Sequence, residues 1–197
     1  GTTEILRTSL PAVVINPYPM KRIASLLLTV ACLLPLAGQA QKIKGRYTSR
    51  AQEDGTLYHL YPVELYANRE HGNLSCDITY KSLKSPAAEP RATINFTYYA
   101  DRAQPADSIR FSCGDITMRA SVEKIYIEPD KKRWKHRYTA SVPVGTLYRY
   151  FDETRTPAVT LYTRQGTVEF PVRRSEWTGY APVAFRIFEM IRCNEQE

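Results

Sequence analysis

Apolar and polar residues alternate with a period of two through most of the stretch 74–141, and this period constrains the fold more than any other feature of the chain. Leu74, Cys76, Ile78 and Tyr80 are separated by Ser75, Asp77 and Thr79; Ile94, Phe96 and Tyr98 by Asn95 and Thr97; Ile109, Phe111 and Cys113 by Arg110 and Ser112. Successive side chains of a strand point to opposite faces, so each run predicts a strand with one buried face. Upstream, the runs 46–50 and 56–66 flank Glu53-Asp54-Gly55, and Asp-Gly between two apolar-rich runs signals a hairpin. Pro62 lacks the N–H that a ladder needs, which predicts an edge strand or a bulge in the second arm. The runs 116–120 and 122–127 continue as strand, but the inward parity slips between Val122 and Ile125, as at a bulge or a break. After a turn at Glu128-Pro129-Asp130-Lys131, alternation resumes over 133–141.

The last third changes character. Ser141 is placed to cap a short helix with Pro143 in its first turn, followed by Val144, Leu147, Tyr148 and Phe151 at helical spacing. Strands over 158–163 and 167–172 are joined through Arg164-Gln165-Gly166. A second helix starting near Ser175 or Pro182 carries Val183, Ala184, Ile187, Phe188 and Ile191 as an apolar stripe opposite Arg186, Glu189 and Arg192. The fold class expected is therefore mainly β, an antiparallel β-sandwich or barrel-like sheet with two short helices in its C-terminal part.

Residues 20–40 are of another kind. Met20-Lys21-Arg22, an apolar run over 23–36 and the small residues Ala37-Gly38-Gln39-Ala40 have the order of a secretory signal peptide. About 14 apolar residues fall short of the roughly 20 that span a bilayer, so cleavage near Ala40 with no transmembrane anchor left behind is expected. Cys32 offers a lipoprotein alternative, although Thr29 stands where the lipobox usually has Leu. Residues 1–19 are read as an upstream extension or a start-site artefact outside the folding unit, which leaves 41–197 as a single mainly β domain. The expected address is periplasmic, cell-surface or secreted.

Charge and cysteine usage fit that address. Residues 41–197 hold 24 Lys and Arg against 19 Asp and Glu, and the surplus lies wholly after residue 130, where 12 basic residues face 7 acidic ones. A basic face suits an anionic polysaccharide, lipid head groups or an acidic envelope protein, whereas export argues against nucleic acid. Arg133, Lys135 and Arg137 share the outward parity opposite Trp134, His136, Tyr138 and Ala140, forming a basic ridge expected to bind such a partner. On this reading, changing all three to Gln leaves the melting temperature nearly unaltered. Cys76 and Cys113 both fall on inward parity, which favours a disulfide between them with Cys193 as a free thiol; two core thiols are the alternative.

Fourteen tyrosines are a further oddity. Sheet propensity and amphipathic packing account for most of them. Tyr99 and Tyr162 oppose the inward parity of their strands and are the candidates for a ligand-binding face. Catalytic patterns are missing: there is no GxSxG, no HExxH and no Cys/His zinc spacing, and His59, His71 and His136 fall on separate elements. No cofactor motif is present. His136, between Trp134 and Tyr138, is read as an inward structural residue. The function expected is a non-enzymatic binding or interaction module of the bacterial envelope, with a small envelope hydrolase acting on glycan as the alternative through some pair of its carboxylates.

The segment Val142-Pro143-Val144-Gly145-Thr146-Leu147, the hairpin 160–172 and the closing stretch 180–191 together resemble the end of invasion-associated locus B type proteins. That resemblance implies an exported bacterial β-sandwich domain. It implies no catalytic or ligand-binding residue.

Overall fold

The computed structural model of the chain describes residues 43–85 and 89–195, so the signal stretch 20–40, Cys32 and the cleavage point lie outside the described residues. Nine antiparallel strands make up the sheet: β1 (Tyr47–Gln52), β2 (Gly55–Asn68), β3 (Gly72–Leu83), β4 (Arg91–Ala100), β5 (Ala106–Cys113), β6 (Ile116–Asp130), β7 (Arg133–Pro143), β8 (Pro157–Thr163) and β9 (Gly166–Pro171). Helix α1 (Val144–Tyr150) connects β7 to β8, and α2 (Arg174–Asn194) follows β9. The expected class is thus met: mainly β, antiparallel, with two helices late in the chain.

Strand order is β1-β2-β3-β4-β7-β6-β5-β8-β9. Strand β6 makes that order possible by changing partner along its length. Ile116 to Ser121 pair with β5, and Val122 to Asp130 pair with β7. A bulge between Lys124 and Tyr126 leaves Ile125 outside the ladder and 49% exposed, which is the parity slip legible in the sequence. The far end of the sheet approaches its beginning through an isolated bridge between Tyr66 and Val172 and a hydrogen bond from the Arg173 N–H to the Leu65 carbonyl at 2.7 Å.

The Asp-Gly hairpin forms between β1 and β2, with Gln52 opposite Gly55. A side chain at position 55 would run into the Ser82 carbonyl of β3, so glycine is required there by close approach. Pro62 falls in a bulge between Leu60 and Val63, and a second irregularity between Glu64 and Tyr66 turns both Leu65 and Tyr66 into the core. Strand β2 is therefore interior to the sheet, and of the two roles expected for Pro62 the bulge is the one found.

The inward series of the strands supplies most of the core. Phe96 and Tyr138 stack at 5.6 Å between ring centroids, and Tyr98 lies 4.7 Å from His136 and 5.9 Å from Phe170. Helix α2 buries Trp177, Tyr180, Ala181, Val183, Ala184, Ile187, Phe188 and Ile191, which includes the whole expected stripe. It runs unbroken for 21 residues, so it is not short, and Pro182 lies inside it. A proline there removes the bond to the Thr178 carbonyl, and burial of an entire face outweighs that cost of about 3 kcal/mol. Trp177 anchors the start of the helix by donating from Nε1 to the Asp152 carbonyl at 3.1 Å, with its ring against Tyr150 and Phe151. Ser141 does not cap α1. It remains within β7, where its hydroxyl accepts from Arg91 Nε at 2.9 Å, and Pro143 holds the cap position.

The expected Cys76–Cys113 disulfide is corrected: both are buried free thiols, and Cys193 is free and exposed. Both thiols do face inward. However, Cys76 on β3 lies opposite Val63 and Phe96, while Cys113 on β5 lies opposite Ile116 and Pro157, and β4, β7 and β6 intervene in the sheet order. The hydroxyls of Tyr66 and Tyr150 are buried in the same core and hydrogen-bonded to each other at 2.7 Å. Burial pushes the Cys76 thiol up to about 12 and also raises that of Cys113, so neither forms a thiolate readily. Native protein beginning at Gln41 should expose one reactive thiol to an aromatic disulfide reagent, at Cys193. Unfolding without reductant should raise the count to three, and a count of one after unfolding would restore the bridge.

Candidate functional site

The outer face of β3, β4 and β7 holds the polar residues that alternate with the core. Its centre is Asp77, only 3% exposed although it points away from the core. Arg137 reaches across β4 from β7 and donates to Asp77 Oδ1 at 2.7 Å, while Asn95 Nδ2 donates to Oδ2 at 2.8 Å. A further Arg137 nitrogen donates to Thr97 Oγ1 at 2.9 Å. Both carboxylate oxygens are thereby occupied, and the pair ties three strands together.

Beside this pair lies a groove of about 380 Å³ lined by Glu64, Asn73, Ser75, Thr97 and Tyr99. The bulges of β2 create it, because they set Glu64 opposite Ser75 while the strand swings past Leu65. Asn73 Nδ2 donates to Glu64 Oε2 at 2.5 Å, closing one side. Tyr99 forms another wall, and its carbonyl accepts from Arg133 at 3.0 Å. A second cleft, of about 260 Å³, lies between the two helices and Tyr80. Several of its polar groups are engaged: Tyr80 donates to Glu195 at 2.6 Å, Tyr148 donates to Glu189 at 3.3 Å, and the Arg192 guanidinium covers the Tyr148 ring at 5.0 Å. The outer groove, by contrast, presents hydroxyls and a half-exposed aromatic ring.

Each sequence candidate has a definite place. Arg133, Lys135 and Arg137 do share one face of β7, but they do not stand free as a ridge. Arg133 lies 3.5 Å from Asp101, Lys135 lies 3.6 Å from Glu128 and 5.2 Å from the Tyr126 ring, and Arg137 is held by Asp77. Tyr126 and Glu128 act on Lys135 to raise its pKa. Tyr99 lines the groove, opposite Lys135 in the ladder. Tyr162 lies elsewhere, on β8, with Arg119 and Arg110 over its ring at 4.6 and 5.9 Å. Asp77, Asn95, Thr97 and Glu64 were not singled out from the sequence; Asp77 had the outward parity, but its partners depend on β3, β4 and β7 being neighbours.

His136 is fully buried, as its parity implied. The Gln104 N–H donates to Nε2 at 3.2 Å, so Nδ1 carries the proton and donates to the Trp134 carbonyl at 3.0 Å. Burial holds its pKa below the ordinary 6.5. Among the described residues no group of three or more His, Cys, Asp or Glu is arranged to hold a metal ion, and no helix is long and apolar enough to cross a membrane. Comparison with protein-family models, curated proteins and solved structures gives no match, so the chemistry of the site rests on its own residues.

Two outcomes follow from these geometries. The melting temperature does not survive loss of the ridge unchanged: Arg137→Gln orphans a nearly buried carboxylate and should cost roughly 2 to 3 kcal/mol, below the full cost for a buried charge because Arg137 keeps about a quarter of its surface in water. The double variant Arg133→Gln/Lys135→Gln should lose less than about 1 kcal/mol, as for surface pairs. Denaturant titration of both variants separates them, and equal losses would count against the Asp77 pair. For His136 the folded pKa is lower than the unfolded one, so the unfolded chain takes up the proton first as pH falls. Stability from this group is complete above 6.5 and is lost as pH drops toward the folded pKa. Unfolding free energy measured between about pH 7 and about pH 5 should fall more steeply in wild type than in His136→Gln.

Proposed function

We propose that the protein is an exported, non-enzymatic binding module of the bacterial envelope and that the groove over β2, β3 and β4 takes a glycan. The observation that carries this reading is the groove itself, which joins the Tyr99 ring to Asn73, Ser75, Thr97 and Glu64 on rigid strands. A tyrosine ring offers a flat apolar surface to the C–H face of a sugar, and short polar side chains beside it match ring hydroxyls. Asp77 and Arg137 brace Thr97 from beside the groove, with both Asp77 oxygens and two Arg137 nitrogens already hydrogen-bonded. Export rests on the order of charge, apolar run and small residues over 20–40. The likeness of 142–147, 160–172 and 180–191 to exported β-sandwich domains points the same way.

The hydrolase alternative asks for two working carboxylates on this face. Glu64 is exposed beside the groove, but Asp77 is buried with both oxygens bound, which favours binding over turnover. Screening against envelope oligosaccharides, followed by calorimetry on a binder, tests the proposal. Tyr99→Ala should weaken binding at least tenfold, about 1.4 kcal/mol, with little change in melting temperature. An equal affinity in Tyr99→Ala, or no oligosaccharide bound at all, overturns the reading. Glycan cleavage that disappears in Glu64→Gln would install the hydrolase instead.

A further inference from the structure

The cations without acid partners are not on the ridge. Arg110 on β5 and Arg119 on β6 stand directly opposite each other in the ladder, both on the outer face. Like charges directly across an antiparallel pair repel, and chains selected only for stability place opposite charges there. Among the described residues neither arginine makes an ion pair, whereas Arg133, Lys135 and Arg137 each do. Instead both guanidinium groups converge on one ring, that of Tyr162 on β8, at 4.6 Å for Arg119 and 5.9 Å for Arg110.

The surroundings suit an anion. Arg110 NH2 donates to Thr160 Oγ1 at 3.1 Å and Arg119 NH2 to Ser108 Oγ at 3.4 Å, so each hydroxyl accepts from a guanidinium and keeps its own O–H to donate. Arg110 Nε is buried with no partner, an N–H withdrawn from water at some cost. Ser121 lies opposite Ser108 and adds another hydroxyl to the same row. Two guanidinium forks, two hydroxyl donors and an aromatic base make a concentrated set of donors; one carboxylate, Glu169 on β9, stands in the same cross-strand row opposite Thr160, and among the described residues it pairs with neither arginine.

We propose that Arg110 and Arg119, meeting over Tyr162 with Ser108 and Thr160 beside them, bind a tetrahedral oxyanion, a phosphate or sulfate ester group. Guanidinium forks hold such groups by paired N–H···O bonds, and the bound anion relieves the repulsion between the two arginines. This site lies on β5, β6 and β8, away from the groove on β2, β3 and β4, and does not depend on that groove binding glycan.

Thermal unfolding and calorimetry with inorganic phosphate and inorganic sulfate, against sodium chloride at equal ionic strength, read the site directly. Wild type should gain about 5 °C or more near a hundredfold excess over Kd. Arg119→Gln should melt higher than wild type in chloride, because the repulsion is gone, and should bind either anion at least tenfold more weakly. Arg119→Lys keeps the charge but lacks the fork and should fall between them, which also covers the case of a poorly folding Gln variant. Tyr99→Ala should respond like wild type, so failure here and failure of the groove are read separately. Glycerol phosphate and a sulfated disaccharide, compared at equal charge, distinguish a phosphate ester from a sulfate ester as the source. If phosphate and sulfate do no more than chloride in wild type, or if Arg119→Gln responds as wild type does, the site does not exist.

Discussion

One face of an antiparallel sheet has to be kept dry, and the rest of this structure follows from how that is done. The inward residues of β2 to β9 are large and often aromatic, and they form a surface that no single layer of strands can cover. Two devices cover it. Strand β6 leaves β5 for β7 at Val122, which carries β5, β8 and β9 on from β6 while β4, β3 and β2 continue beyond β7. Helix α2 then lays its apolar stripe into the core, with Trp177 seated beside Tyr150 and Phe151 of the α1 region. Each large side chain fully buried in this way contributes about 1.5 to 3 kcal/mol, which is why a mid-helix proline is tolerated.

A dry inside leaves the outside with the polar residues, and there electrostatics sorts them. On the β3, β4 and β7 half, charges find one another: Arg137 closes over Asp77, Lys135 meets Glu128, and Arg133 bridges Asp101 and the Tyr99 carbonyl. A surplus of positive charge in the sequence does not make a bare positive strip on β7, where Arg133, Lys135 and Arg137 each have an acid. On the β5, β6 and β8 half the sorting is incomplete, and Arg110 and Arg119 are left facing each other. The mixed groove and the arginine pair are thus different chemical surfaces on the two halves of one outer face, the first lined by hydroxyls, an amide, a carboxylate and a ring, the second by two guanidinium groups over a ring.

How much of this was legible depended on the range of the interaction concerned. The alternation over β3, β4, β5 and β7, the Asp-Gly hairpin, the interruption at Pro62, the parity slip before Ile125 and the stripe of α2 all rest on residues within a few positions of one another; that Pro62 marks a bulge and not an edge strand followed only from the sheet order. Parity also placed His136, Cys76 and Cys113 inward, and the structure agrees. Direction is local, because it follows from the backbone geometry of a single strand.

Partnership is not local. Whether Cys76 met Cys113, whether Arg137 was free or bound, and whether Tyr99 and Tyr162 shared a surface all turned on strand order, which is set by how the whole inner face is covered. Likewise Ser141 had the chemistry of a helix cap, yet the ladder between β4 and β7 extended to Pro143 and kept it in the strand. The sequence by itself determined the elements, their faces and the composition of the core, because those obey short periodicities. Only the tertiary structure decided which thiols, charges and rings became neighbours, because residues such as Asp77 and Arg137 lie far apart in the chain and meet only once β3, β4 and β7 have paired.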